Sequence, residues 1–147
     1  MSSPVDLHLH TTASDGRLTP AQLIDLVVAR GLRVVAVTDH DTTEGLPAAM
    51  EAARAYPQLA LIPGVELSTD VPGGEIHVLG YFVDRNNPEF EGFLAQMRDS
   101  RVDRGRRMVE KLAALGMPVP WERVLELAQG GSVGRPHIAR ALVEKGY

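Results

Sequence analysis

Hydrophobic positions in the first half of the chain predict strands that alternate with helices. Residues 5–10 alternate apolar and polar side chains, as in a strand with one buried face, and residues 33–37 and 59–62 are apolar runs typical of strands buried on both faces. A capping pattern over 19–22 begins one helix, and a second helix is expected over about 43–55. This order predicts an α/β fold with a parallel sheet or an α/β barrel.

The second half of the chain is predicted to be mostly helical. Residues 71–74 have turn chemistry, and residues 75–83 alternate well enough to predict a strand that pairs back on the preceding one, whose end is expected at Pro63-Gly64. Beyond this strand the apolar spacing becomes helical, with glycine and proline between the segments. The predicted helices cover about 88–115, as one helix or two, about 121–129 and about 135–145.

Composition fits a globular chain of one domain, or of one domain with a small appendage. The chain has 147 residues, of which 44% are hydrophobic and 23% charged. Because it contains no cysteine, disulfides, thiolate ligands and cysteine nucleophiles are excluded, and any metal would be held by His, Asp and Glu. Since neither a secretory signal nor an apolar run of about 20 residues is found, we expect a cytoplasmic protein that does not enter a membrane.

Charge is distributed unevenly along the chain. Residues 1–97 carry 13 acidic and 5 basic side chains, whereas residues 98–147 carry 6 acidic and 10 basic ones. We therefore expect two units, an acidic one over 1–86 suited to cations and a helical, basic one over 87–147 suited to anions. The basic side chains of 98–111 would form a nucleic-acid track or a solvated helix face, and the interleaved acids favour the solvated face.

Histidines collect near the ends of the predicted strands. His8 and His10 end the first strand, His40 ends the second, Glu66 comes just after the third, and His77 lies within the last. A single His-x-His pair is often simply solvated, but the carboxyl ends of parallel strands converge, so these five side chains are expected to meet. Imidazole and carboxylate ligands suit zinc, iron or manganese, and they do not choose among the three. The pattern predicts a metal site.

These residues lie in motifs that resemble those of the PHP domain family, named for DNA polymerases and histidinol phosphatase. The order and spacing match over about residues 5–85, and the motifs are His8–His10, Thr38–Asp41, Gly64–Leu67 and Ile76–Gly80. The resemblance implies the N-terminal part of a distorted (β/α)7 barrel over 1–86, followed by a helical insertion. The family's later His and closing Asp-x-His have no counterpart here, so we expect the barrel to be incomplete in this chain.

The resemblance also implies two or three divalent metal ions in the complete domain, of manganese, zinc or iron. The two histidines of the first motif would bind the first ion. Glu66 would bridge it to a second, which His77 also binds. Asp15 and His40 would help to bind a third, although Asp15 would be a turn residue from its local sequence alone.

Four further residues are candidates for supporting roles. Asp39 and Asp41 flank His40 and would orient an imidazole or a water, the alternative being that they are solvated. Arg135 and His137 open the last predicted helix, where a guanidinium, an imidazole and backbone N–H groups could hold a substrate phosphate. The alternative is that Arg135 and His137 are also solvated.

The resemblance is strongest to stand-alone PHP phosphoesterases that act on nucleotides, through Ser14–Gly16, Thr38–Thr42 and Gly134–His137. It implies a metal-dependent hydrolase that removes the 3′-phosphate of a nucleoside 3′,5′-bisphosphate, or trims short RNA from its 5′ end, with a metal-activated water. Two alternatives stay open: a phosphatase of another small monoester similar to histidinol phosphate, and a non-catalytic PHP module with a docking role. No specific protein partner is indicated.

Overall fold

Strands and helices alternate in the first half of the chain, and helices form the second half. The computed structural model describes residues 4–71 and 74–147, so the predicted turn at 71–74 includes two residues, 72 and 73, that lie outside the described residues. The elements are β1 (Val5–Leu9), α1 (Pro20–Ala29), β2 (Val34–Val37), α2 (Leu46–Ala53), β3 (Ala60–Val71), β4 (Gly74–Tyr81), α3 (Pro88–Ala114), α4 (Trp121–Ala128) and α5 (Arg135–Glu144).

The four strands lie side by side in the order β1-β2-β3-β4. β1 and β2 pair in parallel, as do β2 and β3, whereas β3 and β4 are antiparallel. The strands curl so far that the Tyr81 hydroxyl on β4 donates a hydrogen bond of 3.1 Å to the carbonyl oxygen of Leu7 on β1. The predicted α/β fold, with part of a β/α barrel, is confirmed.

β3 is one continuous strand, so the strand end predicted at Pro63-Gly64 is wrong. Pro63 is the last residue of β3 that pairs with β2, and Gly64 is the first that pairs with β4. A Cβ at Gly64 would lie 2.9 Å from the carbonyl oxygen of Gly80, so glycine is what permits this close approach. At Pro63-Gly64, β3 stops pairing with β2 and starts pairing with β4. Glu66 therefore lies inside β3 rather than after it.

The sheet and the first two helices enclose one apolar core. Thr19 caps α1 as predicted, because its Oγ1 accepts the N–H of Gln22 at 3.3 Å while the Gln22 Oε1 accepts the N–H of Thr19 at 3.0 Å. This capping box starts the helix where its apolar face meets the sheet. The buried residues of the core are Leu23, Ile24, Val27, Val35, Val37, Leu46, Ala49 and Leu59.

α3 is a single helix of 27 residues, which decides between the one or two helices predicted there. The later part of this helix packs with α4 and α5 around a second apolar cluster that includes Val109, Val124 and Ile138. Its earlier part lies against the polar edge of the sheet. None of the helices within 4–71 and 74–147 combines the length and the apolarity needed to cross a membrane.

The basic side of α3 is not a simple solvated face. Arg98 donates to the backbone carbonyl of Asp41 at 3.0 Å, Arg101 is only 5% exposed, and Arg104 pairs with Glu75. Their spacing of three residues places these arginines on one side of the helix, toward the sheet. The favoured prediction of a solvated face is therefore wrong for these three side chains.

Candidate metal centre

The ends of β1 and β2 bring three histidines beside β3. His8 lies in β1, His10 follows it directly, and His40 comes three residues after the end of β2. The N–H of Glu66 donates to the carbonyl of Asp39 at 3.2 Å, which extends the parallel pairing of β2 and β3 beyond the named strand. The backbone itself thus carries His40 alongside Glu66.

The carboxylate of Glu66 lies among four imidazoles. Its Oε2 is 2.7 Å from Nε2 of His8 and 2.9 Å from Nε2 of His10. Its Oε1 is 2.6 Å from Nδ1 of His77 on the antiparallel strand β4. The fourth imidazole, of His40, places its Nδ1 3.7 Å from Oε2. Glu66 is buried, with 3% of its surface exposed, and the imidazoles around it come from β1, from β4 and from the segments that follow β1 and β2.

Asp15 reaches the same cluster from the loop between β1 and α1. Its Oδ1 lies 3.3 Å from Nδ1 of His10, and its Oδ2 lies 3.5 Å from Nε2 of His40. The loop can turn back this tightly because the next residue is Gly16, where a Cβ would lie 2.3 Å from the carbonyl oxygen of His10. The turn chemistry of this loop and a ligand position for Asp15 are therefore compatible.

The six side chains provide three overlapping groups of donor atoms. Within each group the atoms lie within 4.8 Å of one another. Two of the groups were expected to hold only two donors each, but in the structure the shared imidazoles give each group three. The groups are His8, His10 and Glu66; His10, Asp15 and His40; and His40, Glu66 and His77.

Nδ1 of His40 is a buried ring nitrogen that a cation in this cluster could satisfy. It is buried and has no hydrogen-bond partner within the described part of the chain, and the Glu66 oxygen 3.7 Å away lies beyond hydrogen-bond range. Buried polar atoms are normally paired, so an unpaired one needs an explanation. A metal ion between His40 and Glu66 would satisfy both groups. Imidazole and carboxylate donors suit manganese, zinc or iron, so the residues fit the predicted ions.

Electrostatics favours ionised carboxylates around a neutral His40. Burial opposes ionisation of Asp15, but the hydrogen bond with His10 and the positive groups nearby lower its pKa to about 2. The pKa of Glu66 is also lowered, because its hydrogen bonds with imidazoles outweigh its burial. Burial and the charge of Arg101 lower the pKa of His40 to about 4, which keeps it in the neutral form that binds metals. Although burial acts the other way, Asp15 raises the pKa of His10, so a cation there would displace a proton.

The carboxylate of Asp39 holds the loop that follows β1. It accepts the N–H of Thr11 at 2.7 Å, the Thr11 hydroxyl at 2.7 Å and the Ser14 hydroxyl at 2.6 Å. The Ser14 Oγ in turn lies 3.3 Å from Nδ1 of His10. Asp39 therefore reaches an imidazole of the cluster through Ser14.

Asp41 connects the cluster to α3. Its Oδ1 accepts the N–H of Ser68 at 3.0 Å, and its Oδ2 accepts a hydrogen bond from Nη1 of Arg101 at 3.0 Å. Arg101 also donates to the Ser68 hydroxyl and, from Nε, to the carbonyl of Val133 at 2.9 Å. These contacts tie β3, the residue after His40 and the segment before α5 to one buried guanidinium.

Arg101 was not predicted as part of the site. In the sequence it stands among other arginines and acids, with no local feature to separate it from them. Arg101 lies seven residues after Leu94 and four before Gly105, both buried, so the three share one side of α3. Arg98 lies four residues after Leu94 and seven before Gly105, so this spacing does not single out Arg101.

Arg135 and His137 lie in the first turn of α5, close to the cluster. Nη1 of Arg135 is 2.7 Å from Oε2 of Glu75. His137 is buried, its Nδ1 accepts the N–H of Gly134 at 3.0 Å, and burial lowers its pKa. The solvated alternative is therefore wrong for His137, whereas the Arg135 side chain is 59% exposed beside its ion pair with Glu75. A cavity of about 340 Å³ beside the cluster is lined by Asp15, His40, His77, Arg101, Arg135, Pro136 and Ala139.

Glu75 is a second residue that had no predicted role. Its Oε1 lies 3.2 Å from Nε2 of His77, whose other ring nitrogen faces Glu66. The same carboxylate pairs with Arg104 and Arg135. Burial opposes its ionisation, but the hydrogen bond with His77 and the two guanidinium groups lower its pKa to about 2. Glu75 and His77 lie two residues apart on β4, so their side chains point to the same face of the strand. This spacing was the feature of the sequence that could have indicated a role for Glu75.

Known proteins are similar to this chain over nearly all of its length. The PHP domain family model matches residues 6–104. The chain is 49% identical over 142 residues to a 5′-3′ exoribonuclease, Rnm, of Salmonella typhimurium, covering 96% of this chain and 48% of that protein. It is 35% identical over 143 residues to a 3′,5′-nucleoside bisphosphate phosphatase of Chromobacterium violaceum, covering 97% and 50%.

A solved structure from Bifidobacterium adolescentis, described as a metal-dependent phosphoesterase, matches with a TM-score of 0.86 at 37% identity. The match covers 97% of this chain and 50% of that one. The chain thus spans about half the length of the proteins it matches.

Proposed function

Because the chain belongs to the PHP domain family, we propose that it carries the metal centre of a phosphoesterase that hydrolyses a phosphate ester of a nucleotide. One observation carries the proposal: a buried carboxylate, Glu66, lies among four imidazoles, and a buried nitrogen of one of them has no hydrogen-bond partner among residues 4–71 and 74–147. The relatives named as an exoribonuclease and a nucleoside bisphosphate phosphatase support a 3′,5′-bisphosphate or the 5′ end of a short RNA as substrate.

Two or three divalent cations would be held by the three donor groups, which share residues with one another. Glu66 would bridge two of them, because its two oxygens face imidazoles on different strands. When bound, such ions act as Lewis acids and lower the pKa of a bound water toward neutrality. In this proposal residues 1–86 are the first half of the barrel and residues 87–147 the helical insertion. The proposed metal ligands are His8, His10, Asp15, His40, Glu66 and His77.

The other polar residues would orient the phosphate and the ligands. Arg135 and Arg101 line the cavity beside the cluster, where their guanidinium groups would offset the charge of phosphate oxygens. Since Nδ1 of His137 accepts a hydrogen bond, its proton lies on Nε2, and the neutral ring would donate to a phosphate oxygen. Asp39 and Asp41 would position the loops that carry Asp15 and His40 rather than contact substrate.

Metal content tests the centre directly. After incubation with manganese, zinc or iron and removal of free metal, elemental analysis should find bound metal in the wild-type chain. Glu66→Gln should retain less, because a neutral amide cannot bridge two cations as a carboxylate does. His137→Gln is the matched control, since this buried histidine belongs to none of the three donor groups and its loss should leave metal content unchanged. A wild-type chain without metal, or a Glu66→Gln chain with full content, would refute the centre.

Phosphate release tests the substrate. The metal-loaded chain should hydrolyse adenosine 3′,5′-bisphosphate or a 5′-phosphorylated oligoribonucleotide in preference to p-nitrophenyl phosphate, and a chelator should abolish the reaction. Preference for simple monoesters would instead favour a phosphatase of another small metabolite. Retention of metal and nucleotide without turnover would favour a binding module.

A further inference from the structure

A chain of hydrogen bonds leads from the buried carboxylate of Asp39 through Ser14 to the imidazole of His10. The Oδ1 of Asp39 lies 2.6 Å from the Ser14 hydroxyl, and the Ser14 Oγ lies 3.3 Å from Nδ1 of His10. Asp39 is 2% exposed and Ser14 is 1% exposed. Neither of them belongs to the three donor groups of the metal centre. The two side chains thus lie behind a proposed metal ligand without supplying a donor atom of their own.

The direction of each hydrogen bond in this chain follows from the other partners of Asp39. Its carboxylate also accepts the backbone N–H of Thr11 at 2.7 Å and the Thr11 hydroxyl at 2.7 Å, so it acts as an acceptor in every one of these contacts. The single hydroxyl proton of Ser14 is therefore directed to Asp39. Toward His10 the Ser14 Oγ has only lone pairs to offer, so it accepts a proton from Nδ1.

The two ring nitrogens of His10 face different sets of acceptors. Nδ1 faces the Ser14 Oγ and, also at 3.3 Å, the Oδ1 of Asp15. Nε2 lies 2.9 Å from the Oε2 of Glu66, an oxygen that is also 2.7 Å from Nε2 of His8. Asp15 and Glu66 are proposed metal ligands, whereas Ser14 belongs to no donor group. Of these three acceptors, Ser14 is therefore the one for which no metal ion would compete.

We propose that Ser14 is a positioning residue, which Asp39 orients, and that it keeps a proton on Nδ1 of His10 so that only Nε2 binds metal. The role toward a metal ion rests on the proposed function. A metal-binding imidazole normally donates its other ring N–H to such a partner, which fixes the tautomer and the orientation of the ring. His10 would then bind the ion at Glu66 but not the one at Asp15, because the nitrogen on the Asp15 side carries the proton.

The ring N–H of His10 tests the assignment in the metal-free chain. In a heteronuclear N–H correlation spectrum, the wild type should give an Nδ1–H signal that exchanges slowly with water and is absent from His10→Gln. Ser14→Ala should lose this signal or exchange its proton about tenfold or more faster, because the buried acceptor is gone. Thr11→Val is the matched control, since it removes another hydroxyl that donates to Asp39 and leaves the contact between Ser14 and His10 in place. It should keep the signal.

Zinc affinity provides the second readout. Competition with a chromophoric chelator should show that Ser14→Ala binds zinc about tenfold or more weakly than the wild type, whereas Thr11→Val binds it as the wild type does. Each variant removes one hydrogen bond to Asp39, so the two should shift the midpoint of urea unfolding of the metal-free chain by similar amounts. A difference in zinc affinity between them would then report on the His10 ring rather than on stability.

Four outcomes would overturn the assignment. They are a wild type without the Nδ1–H signal, a signal that Ser14→Ala leaves unchanged, a zinc affinity that Ser14→Ala leaves unchanged, and equal losses of zinc affinity in Ser14→Ala and Thr11→Val. If the signal behaves as expected but the wild type binds no metal, the hydrogen-bond chain from Asp39 to His10 stands and the metal centre of the proposed function fails.

Discussion

The guanidinium of Arg101 lies 3.0 Å from the carboxylate of Asp41, and both side chains are buried. The pair joins α3 to the residue that follows His40. A buried ion pair is not a net stabilising feature by itself, because removing two charges from water costs about as much as their attraction returns. Breaking the pair has a different effect, since it leaves one charge buried without its counter-charge.

Arg101→Met should lower the free energy of unfolding of the metal-free chain by about 3–5 kcal/mol, because the Asp41 carboxylate stays buried without its counter-charge. Asp41→Asn should have a similar effect, and the double variant should lose less than the sum of the two. Urea unfolding measures all three. Asp103→Asn, at an exposed position of the same helix, should change stability by no more than about 0.5 kcal/mol. An Arg101→Met chain as stable as Asp103→Asn would contradict the prediction.

Arg101 also shows which parts of the site could not be predicted from the sequence. An arginine is buried here because a carboxylate 60 residues earlier in the chain lies opposite it, and that proximity is a property of the fold. For the same reason the continuity of β3 was missed. A Pro-Gly pair normally ends a strand, but here β2 and β4 pair with β3 on either side of it.

Local features, in contrast, could be predicted well. The cap of α1 depends on four consecutive residues, and the placement of His8 and His10 depends on the two-residue period of a strand and on where that strand ends. The convergence of His40 with them follows from the rule that parallel strands end at one edge. The shared use of His10 and His40 by two donor groups each required the three-dimensional positions of the rings, whose centroids are 4.7 Å apart.

Two glycines on α3 should respond to alanine in opposite directions. A Cβ at Gly92 meets no atom within 4 Å, so Gly92→Ala should raise the free energy of unfolding by about 0.5–1 kcal/mol through helix propensity. A Cβ at Gly105 would lie 2.9 Å from the ring of Trp121, so Gly105→Ala should lower stability because α3 and α4 must separate. Thermal unfolding of the two variants checks the signs, and a stabilising Gly105→Ala would show that Trp121 moves freely.

Glu75→Gln should weaken metal binding although Glu75 belongs to none of the donor groups. Its carboxylate lies 3.2 Å from the Nε2 of His77, and the loss of such an orienting partner typically costs about 10–100-fold in metal affinity. Competition with a chromophoric chelator measures the affinity. Glu89→Gln, an exposed acid in the first turn of α3, is the control and should bind metal as the wild type does. Equal affinities in the two variants would remove the orienting role from Glu75.

Replacing His137 should flatten the dependence of stability on pH. Burial lowers the pKa of His137, with Arg101 and Arg140 acting in the same direction and Asp15 against them. The folded chain therefore binds this proton less readily than the unfolded chain, where the pKa is near 6.5. Above a pH of about 6.5 the titration of His137 has little effect on the free energy of unfolding, and as the pH falls below about 6.5 this free energy decreases. Protonation would also remove the acceptor that Nδ1 offers to the N–H of Gly134.

The comparison is made between the wild type and His137→Gln, because glutamine can still accept a hydrogen bond but does not titrate. Between about pH 7 and about pH 5, the free energy of unfolding of the metal-free wild type should fall more than that of the variant. The other histidines titrate in both chains, so their contributions cancel in the difference. Urea unfolding at each pH gives the two curves, and the prediction fails if they run parallel.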